Sequence, residues 1–155
     1  MIIRKLKKNE INVLKDFLYE AIYIPKGIKK PSKDIINKEE LKIYYDNFYS
    51  NKDDYCLVCI DDNKIVGAVW TRIMNDYGHI DDNTPSLAIS LYEEYRGKGY
   101  GTKLMINILE LLKNKGYKNV SLSVQKENYA TKLYLNVGFK IINENEEEYI
   151  MVKEL

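Results

Sequence analysis

Between Leu91 and Met105 the chain reads LYEEYRGKGYGTKLM, with glycines at 97, 99 and 101 directly ahead of a stretch of helical pattern. Lacking Cβ atoms, these glycines let the backbone curl tightly, so that several N–H groups converge at the start of a helix whose dipole also favours an anion. That chemistry is a phosphate cradle; the alternative is a glycine-rich turn that holds nothing. Arg96 and Lys98 add positive charge, which suits a di- or triphosphate better than a single carboxylate. Two common phosphate patterns do not fit. The P-loop needs GxxxxGK and then Ser or Thr, and the dinucleotide fingerprint needs GxGxxG on the first strand of its unit. Here Thr102 stands where either would need its last glycine, and the loop lies about two thirds of the way along the chain.

Cys56 and Cys59, in YCLVCID, have the CxxC spacing of redox and zinc motifs. Their neighbours read as a strand, in which a separation of three points the thiols to opposite faces about 10 Å apart, too far for a disulfide. The pair therefore reads as two small buried hydrophobes. One histidine in the chain leaves a zinc site short of ligands, so no metal is expected.

The elements around the loop alternate. Ile2 to Leu6 reads as a strand, and a helix follows from Glu10 to about Ile24, capped by Asn9, with Leu14, Phe17, Leu18 and Ala21 on one face. Pro25, Gly27 and Pro31 break the chain, and a second helix is expected from Asn37 to Tyr49, its stripe Tyr44, Tyr45, Phe48, Tyr49 packing in the core or lining a ligand wall. Tyr55–Ile60 and Lys64–Met74 read as a hairpin turning at Asp61, Asp62 and Asn63, and Pro85–Tyr92 as a third run with Leu87, Ile89 and Leu91 on one face. The helix from Thr102 to Gly116 and the strand Asn119–Val124 make a parallel strand pair with that run. A helix from Asn128 to Val137 and strands near Phe139–Ile142 and Glu147–Val152 close the chain. The sum is a mixed α/β sheet flanked by helices, one domain over residues 1–155.

A net charge of +1, from 24 basic and 23 acidic residues, argues against nucleic-acid binding by bulk electrostatics. No apolar run reaches the length of a membrane span and no leader pattern opens the chain, so it reads as soluble and cytoplasmic, with no membrane partner. The oligomeric state stays open, a homodimer included.

Arg96-Gly97-Lys98-Gly99-Tyr100-Gly101 fits the pattern Arg/Gln-x-x-Gly-x-Gly/Ala and resembles the acyl-CoA pyrophosphate loop of the GNAT superfamily of N-acetyltransferases. About thirty residues on, LSVQKENYATKLYLNVGF (Leu122–Phe139) resembles that superfamily's second block, NxxAxxLYxxxGF, in Asn128, Leu133, Tyr134, Gly138 and Phe139, with Ala130 one place early. The resemblance implies a GNAT-like fold and acetyl-CoA as co-substrate. It places the pyrophosphate on the main-chain amides from Arg96 to Thr102, and the pantetheine arm in a wedge beside Ile89, Ser90 and Leu91. One strand N–H there would polarise the thioester carbonyl, Asn128 would contact the cofactor arm, and Tyr134 would protonate the departing thiolate. A primary amine would then attack directly, through a tetrahedral intermediate.

Asn128 also reads as a helix cap and Tyr134 as a core residue of the stripe Ala130, Leu133, Tyr134, Val137. Many relatives carry a glutamate on the strand before the loop, whereas here the corresponding positions are Ser86, Ala88 and Ser90. The remaining candidates for a general base are Glu20, on the first helix, and the group His79, Asp81, Asp82; deprotonation through water needs none of them. Asp76, Asp81, Asp82 and Glu20 could together form an acidic rim, implying a cationic acceptor such as a polyamine, an amino sugar or a protein amine, unless they are solvated turn residues. Two other functions stay open: a non-catalytic acyl-CoA sensor or docking module of the same fold, and a nucleotide-phosphate binder of another fold.

Overall fold

The computed structural model describes residues 1–155. Its strands are β1 (Ile2–Lys5), β2 (Tyr55–Asp61), β3 (Lys64–Arg72), β4 (Ser86–Leu91), β5 (Asn119–Gln125), β6 (Lys140–Glu144) and β7 (Glu148–Glu154). They form one sheet in the order β1-β2-β3-β4-β5-β7-β6, antiparallel throughout except for the parallel neighbours β4 and β5. Helices α1 (Val13–Ala21) and α2 (Glu39–Lys42) cover one face, α3 (Tyr100–Asn114) and α4 (Thr131–Asn136) the other.

Periodicity explains the long helices. In α3 the side chains of Leu104, Met105, Ile108 and Leu112 recur at helical spacing, and all four are fully buried against the sheet; each such burial is worth about 1.5–3 kcal/mol. In α1, Leu14, Phe17 and Leu18 do the same on the opposite face. The hairpin between β2 and β3 turns at Asp62 and Asn63, both with positive φ (50° and 62°), as a two-residue turn of this composition requires. Cys56 and Cys59 are both buried and unbonded, one in each of the two cores that flank the sheet. No helix is long and apolar enough to cross a membrane.

Two expected helices are cut short, each for a visible reason. The first begins only at Val13, because Lys8–Glu10 forms a tight 3-10 turn instead. Glu10 closes that turn: its carboxylate accepts the Lys7 N–H at 2.8 Å and both Arg4 guanidinium nitrogens at 2.9 and 2.8 Å. The expected helix from Asn37 to Tyr49 keeps a single turn, Glu39–Lys42. Beyond it, side chains of β3 capture the carbonyls that a helix would need: Arg72 donates to Ile43 O and Asp46 O at 3.0 and 2.8 Å, and Trp70 Nε1 to Tyr44 O at 3.0 Å. Arg72 is itself fixed by a buried, two-pronged pair with Asp54 at 3.2 and 3.0 Å. Tyr45 and Phe48 still reach the core, whereas Tyr44 extends its hydroxyl to Asp76.

Candidate active site

β4 and β5 meet at one register position, Ser86 opposite Ser121, and then part. The Ser121 N–H donates to Pro85 O at 3.0 Å on the closed side of that junction. On its other edge β4 pairs with β3 along its whole length, and the Tyr92 N–H donates to Val66 O at 3.0 Å. Alternation along an antiparallel ladder therefore turns the main chain of Ser86, Ala88 and Ser90 toward β3, and that of Leu87, Ile89 and Leu91 toward the gap. Ala88 and Ile89, in the middle of a central strand, are accordingly only half-buried. Among Ile89, Ser90 and Leu91, the gap thus receives the amides of Ile89 and Leu91. Ser90 departs from the expectation: its amide faces β3, and its hydroxyl donates to Phe17 O of α1 at 2.6 Å.

The glycine loop closes the open end of the gap. After a short 3-10 turn at Glu93–Tyr95, Gly97 and Gly99 take positive φ values of 76° and 84°, and α3 starts at Tyr100, two residues earlier than its sequence pattern suggests. No side chain caps α3, and the N–H groups from Gly97 to Thr102 have no main-chain acceptor, which leaves a row of donors at the positive end of a 15-residue helix. A Cβ at Gly97 or Gly99 would meet nothing within 4 Å, so open space lies over the loop. Gly101 already belongs to the helix, and a Cβ there would make ordinary contacts of 3.7 Å with Leu91 and Leu133. The side chains of the loop point elsewhere. Arg96 donates to Leu91 O at 3.0 Å and Glu20 O at 3.2 Å, Lys98 lies over the Tyr95 ring, and the Tyr100 hydroxyl donates to Asp61 at 2.7 Å. The cradle is therefore made of main-chain donors.

Tyr134, on α4, is buried in the same core as Leu91 and Val124, which flank the gap, and its ring tilts against Phe139. Burial pushes its phenol up to about 12, so the hydroxyl keeps its proton through the neutral range. Asn128 closes a turn ahead of α4: its Oδ1 accepts the Ala130 N–H at 2.9 Å, and its carbonyl accepts the Thr131 N–H at 3.1 Å. α4 starts after that turn, at Thr131, later than the expected Asn128.

The opposite face of the sheet is polar beside the gap. Ser86 and Ala88 of β4, Ser121 and Ser123 of β5, and Glu148 of β7 share it, small side chains lying next to the parting strands. The loop from Asp76 to His79 lies on this face: Gly78 approaches β5 so closely that a Cβ would come within 3.1 Å of the Leu122 and Ser123 main chain, and its carbonyl accepts the Ser121 hydroxyl at 2.8 Å. Asp76 is half-buried, with one carboxylate oxygen accepting the Ser86 hydroxyl and the other the Tyr44 hydroxyl, both at 2.8 Å. Burial pushes its carboxyl up, a rise that those hydrogen bonds partly offset. Glu148, which accepts from Gln125 Nε2 at 2.9 Å, is also pushed up by burial and by neighbouring Glu147.

The other acids are placed differently from the expected rim. Glu20 stands by the loop, its carboxylate 3.5 Å from Arg96, rather than beside Asp76. Asp81 accepts the Asn83 N–H at 2.8 Å in a local turn, and Asp82 is exposed, 3.5 Å from His79 Nε2. Both line a hollow with Lys52 and Gly116–Asn119, at the start of β5 and away from the open end of the gap. Sequence patterning overlooked Glu148 and the Tyr44–Asp76–Ser86 network, since their partners lie 32 and 10 residues apart and no motif links them.

The acetyltransferase (GNAT) family matches residues 21–139 of the chain. An uncharacterized N-acetyltransferase of Bacillus subtilis (strain 168), YobR, is 36% identical over 86 residues, 55% of this chain and 32% of its own length. The chain thus spans about a third of the length of that protein, and under two thirds of two other curated relatives. The spermidine N(1)-acetyltransferase of Thermoplasma acidophilum is 24% identical over 160 residues, 98% of this chain and 96% of its own. Among solved structures, the PaiA N-acetyltransferase of Thermoplasma acidophilum in complex with coenzyme A superposes with a TM-score of 0.69 at 25% identity, covering 99% of this chain and 98% of that one.

Proposed function

The chain belongs to the acetyltransferase (GNAT) family, and on that premise we propose that it transfers the acetyl group of acetyl-CoA to a primary amine that carries positive charge. The observation that carries this reading is the single-pair junction of β4 and β5, opening directly onto an uncapped, glycine-built helix start. A gap of that kind offers strand-type hydrogen bonds to an extended amide-bearing arm, and the helix start offers main-chain donors to its pyrophosphate. These residues fit acetyl-CoA.

In this reading the amides from Gly97 to Thr102 bind the pyrophosphate, and Ile89 and Leu91 line the arm. The Ile89 N–H donates to the thioester oxygen as charge develops there, an interaction that grows toward the transition state. Tyr134, protonated at neutral pH, supplies the proton that the departing sulfur takes up. Arg96 ties the end of α1 to the end of β4 and so fixes the mouth of the gap. On the far side, Asp76 and Glu148 give the acceptor a negative surround that favours an ammonium group. The relative named for spermidine acetylation supports a polyamine as the first acceptor to try.

The test is release of free CoA thiol from acetyl-CoA with a panel of amines: spermidine, an amino sugar, a peptide with a free N-terminus, and neutral and anionic amines. Thiol release should favour the cationic members and weaken with added salt through the acceptor's KM. Preference for neutral or anionic amines without salt dependence overturns the acceptor class. Binding of acetyl-CoA without thiol release from any amine points to a sensor instead.

A further inference from the structure

We infer that Asp76 is the group that takes the proton from the incoming amine, its carboxylate held toward the gap by Tyr44 and Ser86; this rests on the acetyl-transfer reading above. β4 presents only Ser86, Ala88 and Ser90 to the acceptor face and so has no acid of its own. Asp76 supplies one from the preceding loop. Ser86, which holds one of its oxygens at 2.8 Å, is the residue at which β4 and β5 last touch before they part, so the carboxylate sits at the apex of the gap on the face opposite α3 and α4. The Tyr44 hydroxyl fixes the other oxygen at 2.8 Å, and the His79 N–H closes the loop on the Asp76 carbonyl at 3.1 Å. Each carboxylate oxygen keeps a second lone pair, and the residue is not fully buried. Ala88 and Ser123 are the small residues that share that face with it.

Of the other candidate bases, Glu20 stands 3.5 Å from the Arg96 guanidinium, at the glycine loop rather than at the junction of β4 and β5. Asp81 is spent on its own turn, and Asp82 and His79 face each other across 3.5 Å. Burial raises the Asp76 carboxyl, and His79, the basic side chain that bears on it, lowers it less than its hydrogen bonds do. Tyr44, lifted by burial and by Asp76, stays a hydroxyl and donates; Glu148 lies within electrostatic reach of Tyr44.

The step balances. One proton passes from the ammonium nitrogen to an Asp76 oxygen; the freed lone pair forms the C–N bond as the carbonyl π pair moves onto oxygen, and return of that pair breaks the C–S bond. The nitrogen then loses a second proton to solvent, and Asp76 gives up the first one to solvent as well. The sulfur takes the Tyr134 proton, and solvent restores the phenol.

Asp76→Asn keeps the shape and removes the basicity. With the best amine of the panel, kcat/KM at pH 7 should fall by about 10²- to 10⁴-fold, and the residual rate should climb with pH as the free amine fraction grows. Acetyl-CoA affinity should stay at the wild-type value. Tyr44→Phe and Ser86→Ala each remove a donor to the carboxylate, and so should move the acid limb of the pH profile upward while sparing the rate on the alkaline side. Those two variants decide the matter should Asp76→Asn fail to fold. An Asp76→Asn enzyme within twofold of wild type across the pH range, or Tyr44→Phe and Ser86→Ala enzymes slowed evenly with the limb unmoved, overturns the inference. A wild-type protein that releases no thiol overturns the acetyl-transfer reading with it; an active wild type with an unchanged Asp76→Asn overturns this step alone.

Discussion

Substituting Gly99 separates the loop's role as a cradle from its role as a turn. Gly99 has φ of 84° with nothing within 4 Å of a would-be Cβ. Gly99→Ala therefore meets no clash and costs only the left-handed strain, about 1–2 kcal/mol, which for a chain of this length lowers Tm by about 2–8 °C. Gly99→Asp carries the same strain and sets a carboxylate over the donors from Gly97 to Thr102. At about 5 Å from a phosphate charge and an effective dielectric near 20, the repulsion is about 3 kcal/mol, or roughly two decades in Kd. Gly101→Ala is the control: the residue is already helical and its Cβ would make ordinary contacts, so Tm should hold or rise slightly. The assay is a thermal melt of each variant, followed by calorimetric titration with acetyl-CoA at low salt. A folded Gly99→Asp protein that binds acetyl-CoA with wild-type affinity would refute the cradle.

Tyr134→Phe should bind acetyl-CoA normally and turn over about 10²- to 10⁴-fold more slowly; single-turnover thiol release within twofold of wild type would reduce Tyr134 to packing. Asp54→Ala leaves the Arg72 guanidinium buried and unpaired beneath the turns after α2, and should cost about 3–5 kcal/mol, read as a lower urea midpoint. Glu10 is held down to about 2, first by its Arg4 hydrogen bonds. A carboxyl depressed on folding stabilises the protein above its unfolded value near 4.5, and that contribution fades as pH falls toward 2. Glu10→Gln should therefore lower stability at pH 7 by about 1 kcal/mol, since the pair is partly solvated, and the gap to wild type should narrow in melts below pH 4.

The long elements could be read in advance because their burial is periodic. Leu104 to Leu112 and Leu14 to Leu18 carry helical spacing that no tertiary contact reverses, and the Asp62–Asn63 turn carries its own conformational preference. The region from Ile43 to Ser50 was illegible for the opposite reason: its local pattern is helical, and the Arg72 and Trp70 side chains that outbid the helix for its carbonyls come from a strand more than twenty residues away. The site divides in the same way. The glycine loop and the start of α4 are contiguous in sequence and were visible as motifs. Asp76 shares no spacing with Tyr44 or Ser86 that marks them as partners, and its neighbours Asp81 and Asp82 stand out more in composition while doing less. Which of Ile89, Ser90 and Leu91 turns its amide to the gap depends on the β3 register, which the sequence leaves open.

The lone pairing of Ser86 with Ser121 also bears on how the molecule unfolds. It makes the sheet two hydrogen-bonded blocks, β1 to β4 and β5 with β7 and β6, joined mainly through the core beneath α3 and α4. Blocks joined in this way can exchange their amides as separate cooperative units, each with its own opening free energy. A ligand that spans the seam stitches the units together, so its binding free energy appears as slowed hydrogen exchange in strands it never touches, β2 and β7 among them.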